Sequence, residues 1–189
     1  MSDVRPAVLS RATLYTGRVL RLEREEIQLP GKPVTAMEII RHRGSVVLIP
    51  QPSPTEVVLI RQYRHVISDW IWELPAGTLD PNEALEDGAR RECEEEINLR
   101  PGRVTRLGAW YPTPGFCDEL MTFYRCEDLQ PPSGHAHADE DEQIEPRVFT
   151  LAEAAALIAS GQVRDMKTVF GLALVGVNAS ASTSSISET

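Results

Sequence analysis

The segment Arg90-Arg91-Glu92-Cys93-Glu94-Glu95-Glu96-Ile97 crowds negative charge into a short stretch of a predicted helix. Asp80 can cap such a helix, Pro81 suits its first turn, and Glu83 stands three residues after the cap. These signals predict a helix from Asp80 to about Ile97, with Gly88 a tolerated weak point. Asn98 stands where a left-handed residue ends a helix. Residues three and four apart share a helix face, so Glu92, Glu95 and Glu96 lie together. Each like-charged pair costs roughly 0.2–0.5 kcal/mol. The row also lies in the C-terminal half, where the helix dipole disfavours anions. It is either a solvated acidic face or one neutralised by something positive. Hard oxygen ligands suit Mg²⁺ or Mn²⁺.

Composition narrows the setting. The 189 residues are 42 % hydrophobic and 25 % charged, ordinary for one soluble globular domain. Nineteen basic residues against 28 acidic ones give a net charge of −9. That argues against a nucleic-acid partner, which needs a basic footprint. A nucleotide substrate is still compatible, because a metal ion reverses the local sign. The acidity is concentrated: residues 73–97 hold nine acidic and two basic side chains, and residues 139–145 hold five acidic and no basic ones. Cys93, Cys117 and Cys126 form no CxxC pair and read as reduced thiols, so a cytoplasmic location is expected. No stretch has the apolar length of a signal peptide or a membrane span.

Strands are expected over Val19 to Leu29, Thr35 to Arg41, Ser45 to Ile49 and Val57 to Ile60. Trp72 to Gly77 reads as a strand end entering a loop, and Pro101-Gly102 as the close of the helical unit. Strands return at Val104 to Tyr111 and Leu120 to Cys126, around a turn-rich loop from Pro112 to Glu119. A polar loop from Pro131 to Glu145 and a short strand from Arg147 to Phe149 follow. Helices are expected at Leu151 to Ser160, stopped by Gly161, and at Asp165 to Val177. The Ser-rich end from Asn178 to Thr189 reads as a flexible tail.

Spacing sharpens this. Five residues separate Gly77 from Glu83, and seven more precede Arg91-Glu92, followed by Cys93, Glu95-Glu96, Asn98 and Leu99. This pattern resembles the Nudix box, Gly-x5-Glu-x7-Arg-Glu-U-x-Glu-Glu-x-Gly-U, where U is a bulky apolar residue. Asn98 replaces the last glycine and Cys93 fills the first apolar slot, both mild departures. The resemblance implies an α/β fold: an α/β/α sandwich around a mixed sheet, with the box as a loop-helix-loop and a β-rich N-terminal extension. It implies Mg²⁺ held by Glu92 and Glu96, by Glu95 directly or through water, and by the Ala76 carbonyl. Glu83 and Arg91 would be the orienting pair within the box.

Further stretches, in order along the chain, resemble the ADP-ribose pyrophosphatase subgroup: Arg61-Gln62-Tyr63-Arg64, Trp72 to Gly77, Pro114 to Glu119, Asp139 to Glu145 and Gly161 to Thr168. They imply hydrolysis of ADP-ribose to AMP and ribose 5-phosphate. They also imply a homodimer whose N-terminal strands reach across to the partner. On this reading residues 1–44 are a dimerisation segment, 45–177 the Nudix domain and 178–189 the tail. A loop carboxylate would accept the proton of the attacking water; Glu142 is the first choice and Glu140 the second, against a plain solvated loop. Arg64 offers a phosphate a two-pronged fork, or is a strand-end surface arginine. Glu119 would contact ribose hydroxyls or organise its loop, and Glu73 would support metal or substrate. Trp70, Trp72 and Trp110 are base-stacking platforms or core residues. His135 and His137 read as loop residues. A pyrophosphatase for GDP-mannose or a UDP-sugar, and a non-catalytic ADP-ribose-sensing module, are the competing readings.

Overall fold

Six consecutive residues, Ser45 to Pro50, are buried without exception. A run with no polar alternation needs cover on both faces. Val46 and Leu48 share one core with Ala89, Cys93 and Ile97. Val47 and Ile49 point the other way, into a second core with Ala154 and Leu172. Those partners belong to helices on opposite sides of the strand, so the sandwich is set by one strand's two faces.

The structure, a computed structural model, describes residues 5–132 and 144–178. Its elements are β1 (Ala7–Thr16), β2 (Leu20–Gln28), β3 (Thr35–His42), β4 (Ser45–Pro50), β5 (Glu56–Arg64), β6 (Asp69–Glu73), β7 (Ala76–Thr78), α1 (Leu85–Ile97), β8 (Arg100–Trp110), β9 (Met121–Gln130), β10 (Ile144–Thr150), α2 (Leu151–Ala159) and α3 (Met166–Leu174). The central sheet runs β7-β4-β9-β8, with β4 and β9 parallel and the other neighbours antiparallel. β10-β5-β6 form a second, antiparallel sheet. β5 splits its faces as β4 does: Val58 and Ile60 meet the α1 core, Val57 and Leu59 the core of α2 and α3. The α/β/α sandwich with a mixed sheet is therefore the observed fold.

β1-β2-β3 form a separate antiparallel meander. Glu23 and Glu25 of β2 are buried there, which charged groups accept only when paired. Arg41 donates to Glu23 at 2.8 Å and to Glu25 at 2.7 Å, and Arg11 reaches Glu25 at 2.7 Å. The third Arg41 nitrogen donates to Asp118 at 3.1 Å. Backbone bonds between Ile40 and both Phe116 and Asp118 complete the tie to the 112–119 loop. No residue of β1 is buried.

The structure corrects or extends the expected element bounds. The helix starts at Leu85, with Ala84 at the cap and no side-chain cap bond. Asn82 takes a left-handed φ of 65°, which stops a helical path, and Glu83 folds back to accept the Asp80 N–H. Pro101-Gly102 lie inside β8 rather than closing the helical unit. β8 is the sheet edge, where a missing N–H costs nothing. β1 extends the N-terminal sheet before Val19, and its uniform exposure explains why no burial alternation marks it. β9 runs four residues past Cys126, and β10 starts three before Arg147, because each pairs along a full neighbour.

Leu48 is fully buried against α1. Leu48→Ala should lower unfolding stability by about 2–5 kcal/mol through lost contacts and a cavity, measured by denaturant titration. A loss below about 1 kcal/mol would mean that the face repacks.

Candidate active site

One wall of the site is α1 seen from β7. Glu92 and Glu96 are only 8 % exposed. A Cβ on Gly77 would lie 1.8 Å from the Glu92 carboxylate carbon, so any larger residue there would push that carboxylate from its place. Leu48 N–H donates to Pro75 O at 2.8 Å. By the alternation of an antiparallel ladder, the polar groups of Ala76 then point away from β4. Its N–H meets Glu96 Oε2 at 2.9 Å. Its carbonyl lies on that same side of the strand.

Arg91 knits this wall. Nε and Nη2 donate to the two oxygens of Glu83 at 2.8 and 2.9 Å. Nη1 bridges Glu92 Oε1 at 2.7 Å and Glu95 Oε2 at 2.6 Å. The Arg91 bonds hold Glu83 below the usual carboxylate range, against the opposing effect of burial. Glu83 in turn makes Arg91 still harder to deprotonate.

The facing wall is a buried ionic knot. Glu73, 1 % exposed, accepts two bonds of 2.7 Å from the Arg64 fork. Lys167 donates to the same carboxylate and, at 2.8 Å, to Asp165. Asp165 caps α3 by accepting the Thr168 N–H at 3.0 Å. Thr168 Oγ1 donates to Asp165 at 2.6 Å and accepts the Leu74 N–H at 2.8 Å. Burial alone would raise the Asp165 carboxyl, but the Lys167 ammonium and the Thr168 bonds hold it below its ordinary value. On a third side Glu119 accepts from Ser45 Oγ at 2.9 Å. These walls line an open cavity of about 980 Å³.

Of the residues singled out from the sequence, Arg64, Glu73, Ala76, Glu92, Glu95, Glu96 and Glu119 line that cavity, with Arg91 of the orienting pair but not Glu83. Glu140, Glu142, His135 and His137 lie outside the described residues. The tryptophans do not line it. Trp72 packs edge-on against Phe149, Trp110 against Phe123 and Phe170, and Trp70 lies against Tyr63 and under Arg61. Base stacking is thereby replaced by packing. Sequence reasoning missed the functional potential of Lys167, Asp165 and Arg43, which also line the cavity. The Asp165-x-x-Thr168 spacing before an apolar run was an available cap signal.

An oxygen-only donor set suits a hard divalent cation in kind. Among the described residues, however, no three carboxylates already converge on one point. Arg91 Nη1 stands between Glu92 and Glu95, so a cation there would have to displace that nitrogen.

The NUDIX domain model matches residues 41–169. The chain belongs to the Nudix hydrolase family. An ADP-ribose pyrophosphatase of Bacillus subtilis (strain 168) is 30 % identical over 172 residues, covering 91 % of this chain and 93 % of that protein. A GDP-mannose pyrophosphatase of Citrobacter koseri is 34 % identical over 149 residues, covering 70 % and 76 %. The solved structure of an ADP compounds hydrolase shares the fold, with a TM-score of 0.80 at 22 % identity over 93 % of this chain and 95 % of that one. In this Nudix chain the box helix, its arginine and the glycine under Glu92 form one continuous wall.

Asp165 has a folded pKa below its unfolded one. Its stabilisation is present above about pH 4 and is lost as pH falls through the folded value. Asp165→Asn should therefore lower Tm near neutrality, and the gap to the parent should close towards about pH 2. A gap independent of pH in thermal melts would overturn this.

Proposed function

We propose that this chain hydrolyses the diphosphate of ADP-ribose to AMP and ribose 5-phosphate, with Mg²⁺ as cation and Mn²⁺ as its alternative. The observation that carries the reading is one cavity with a carboxylate wall facing an arginine fork, in a volume suited to a nucleotide sugar. The Bacillus subtilis relative supports ADP-ribose as substrate. A bound divalent cation would polarise phosphoryl oxygens and acidify a water. Glu92, Glu95, Glu96 and the Ala76 carbonyl would hold it. Arg64 would offer a phosphate the N–H groups that Glu73 does not take, and Glu73 keeps the guanidinium aimed. Glu119 would meet ribose hydroxyls from its place beside Ser45. Glu142, with Glu140 second, is the proposed proton acceptor.

The GDP-mannose pyrophosphatase relative supports a second reading, another nucleoside diphosphate sugar. The carboxylate row engages metal and diphosphate rather than the base. Location in the cytoplasm rests on the reduced thiols. Among the described residues no helix is long and apolar enough to cross a membrane. The division into a dimerisation segment (1–44), a Nudix domain (45–177) and a tail (178–189) belongs to the same proposal. Val8, Leu9, Leu14 and Tyr15 of β1 are each at least half exposed, apolar surface that a second copy would cover.

Purified protein with Mg²⁺ should release AMP from ADP-ribose faster than GMP from GDP-mannose; the reverse order would replace the substrate. Glu96→Gln should keep the fold and lose roughly a thousandfold in kcat, the worth of several kcal/mol of charge stabilisation. Glu142→Gln should lower kcat far more than it raises KM, and an unchanged kcat would move the base to Glu140. Light scattering should give a dimer mass, and a monomer at micromolar concentration would remove the homodimer.

A further inference from the structure

The turn from β1 into β2 and the step from β3 into β4 border a second, smaller recess of about 310 Å³. Thr16 to Arg21 and Arg41 to Arg43 line it, with four arginines and, among the described residues, no carboxylate. In a chain of net charge −9 such a lining runs against the average. On the β2–β3 ladder Arg21 stands directly opposite Arg41, a like-charged pair that costs stability unless it is neutralised. Neutralisation comes from the buried Glu23, which accepts from Arg41 at 2.8 Å and pairs with Arg21 at 2.9 Å. Glu25 and Asp118 take the other Arg41 nitrogens, and Arg11 pairs with Glu25. Arg11, Arg21 and Arg41 thus meet Glu23, Glu25 and Asp118, three charges against three. Arg18 has an interaction of its own. The balance is complete without Arg43, whose exposed side chain makes no hydrogen bond or ion pair with any described residue.

Arg43 is held at its backbone and free at its head. His42 N–H donates to Asp118 Oδ1 at 2.8 Å, Gly44 N–H to His42 Nδ1 at 3.1 Å, and Ser45 N–H to Leu120 O at 3.1 Å. Gly44 itself takes a left-handed φ of 91° and accepts the Leu79 N–H at 3.2 Å. With its place in the chain fixed in this way, Arg43 has only its side chain left to order when a ligand arrives. Because His42 Nδ1 is an acceptor, the neutral ring carries its proton on Nε2, which is one more donor. Unspent donors and a surplus positive charge suit an oxyanion, and a guanidinium grips a phosphate through two parallel N–H···O bonds. We propose that this recess is a second anion site, in which Arg43 holds a phosphate. The recess shares Arg18, Val19 and Arg43 with the main cavity. The phosphate therefore has two routes in: as the free ion, or as a monoester on a nucleotide lying in that cavity.

The test is inorganic phosphate added to the isotope-labelled full chain, with the arginine Nε–H resonances followed by NMR. The resonance lost in Arg43→Gln identifies Arg43. That variant breaks no contact among the described residues and should melt with the parent. The Arg43 resonance should shift along a saturating curve with a millimolar Kd. Arg106, an exposed arginine of β8 outside both linings, should show no saturation. An Arg43 resonance that stays still, or drifts without saturating as a diffuse ionic effect does, would overturn the proposal. Calorimetry in low salt then separates the two sources. If the phosphate comes on a nucleotide, adenosine 2′,5′-bisphosphate or adenosine 3′,5′-bisphosphate should bind at least about fivefold more tightly than AMP, and Arg43→Gln should erase that difference. If both bisphosphates bind like AMP, or if their preference survives in Arg43→Gln, the free ion is the ligand of the recess. A preference that falls as far in Arg106→Gln as in Arg43→Gln reports the charge of the whole chain and overturns the site.

Discussion

The site depends on five consecutive residues, Glu73 to Gly77, each committed to a different neighbour. Glu73 takes Arg64 and Lys167, and the Leu74 N–H goes to Thr168. Pro75 O accepts from Leu48 of the central sheet, and the Ala76 N–H goes to Glu96 of α1. Gly77 yields the volume that the Glu92 carboxylate fills. A segment tied this way has no independent freedom, so the two walls of the cavity keep one separation. Preorganisation of that kind lets a site hold charge without reorganising when the ligand arrives.

The same ties explain how α1 carries an acidic row near its C-terminal end. Like charges at helical spacing repel, and the dipole adds to the cost. The offset is local and specific. One guanidinium bridges Glu92 and Glu95 while anchored on Glu83, and one backbone N–H meets Glu96. The burial of β4 is upstream of all of it, because pairing of Val46 with Gly77 and of Val47 with Ala76 sets how close the helix face comes.

What could be read from residues alone was what is local and periodic. The face shared by Glu92, Glu95 and Glu96 follows from helical spacing, and the strand from Ser45 to Ile49 from an unbroken apolar run. Asn98 was assigned to the left-handed region and has a φ of 55°. The start of α1 was misread because a capping sequence, Asp80 to Glu83, is also a good turn sequence. Only the long-range demand of Arg91 on Glu83 separates the two. β1 is expected only as an unbounded part of the β-rich N-terminal segment, because no residue of it is buried and the alternation that marks a half-buried strand is absent. Lys167 was invisible for a simpler reason: its carboxylate partner Glu73 lies 94 residues away, and no spacing rule spans that distance.

The charge of the whole chain finally resolves into two unequal walls. The knot of Arg64, Lys167, Glu73 and Asp165 sums to zero. Arg91 with Glu83, Glu92 and Glu95 sums to −2, because one guanidinium serves three carboxylates. A diphosphate can approach the neutral wall through Arg64, but it is repelled by the other at short range, where the effective dielectric is low. The proposed divalent cation would supply the two charges that this group lacks, and would do so on the side facing the arginine fork. On the proposed reading, the asymmetry would orient a diphosphate with its bridging chemistry at α1 and an anchoring phosphate at Arg64.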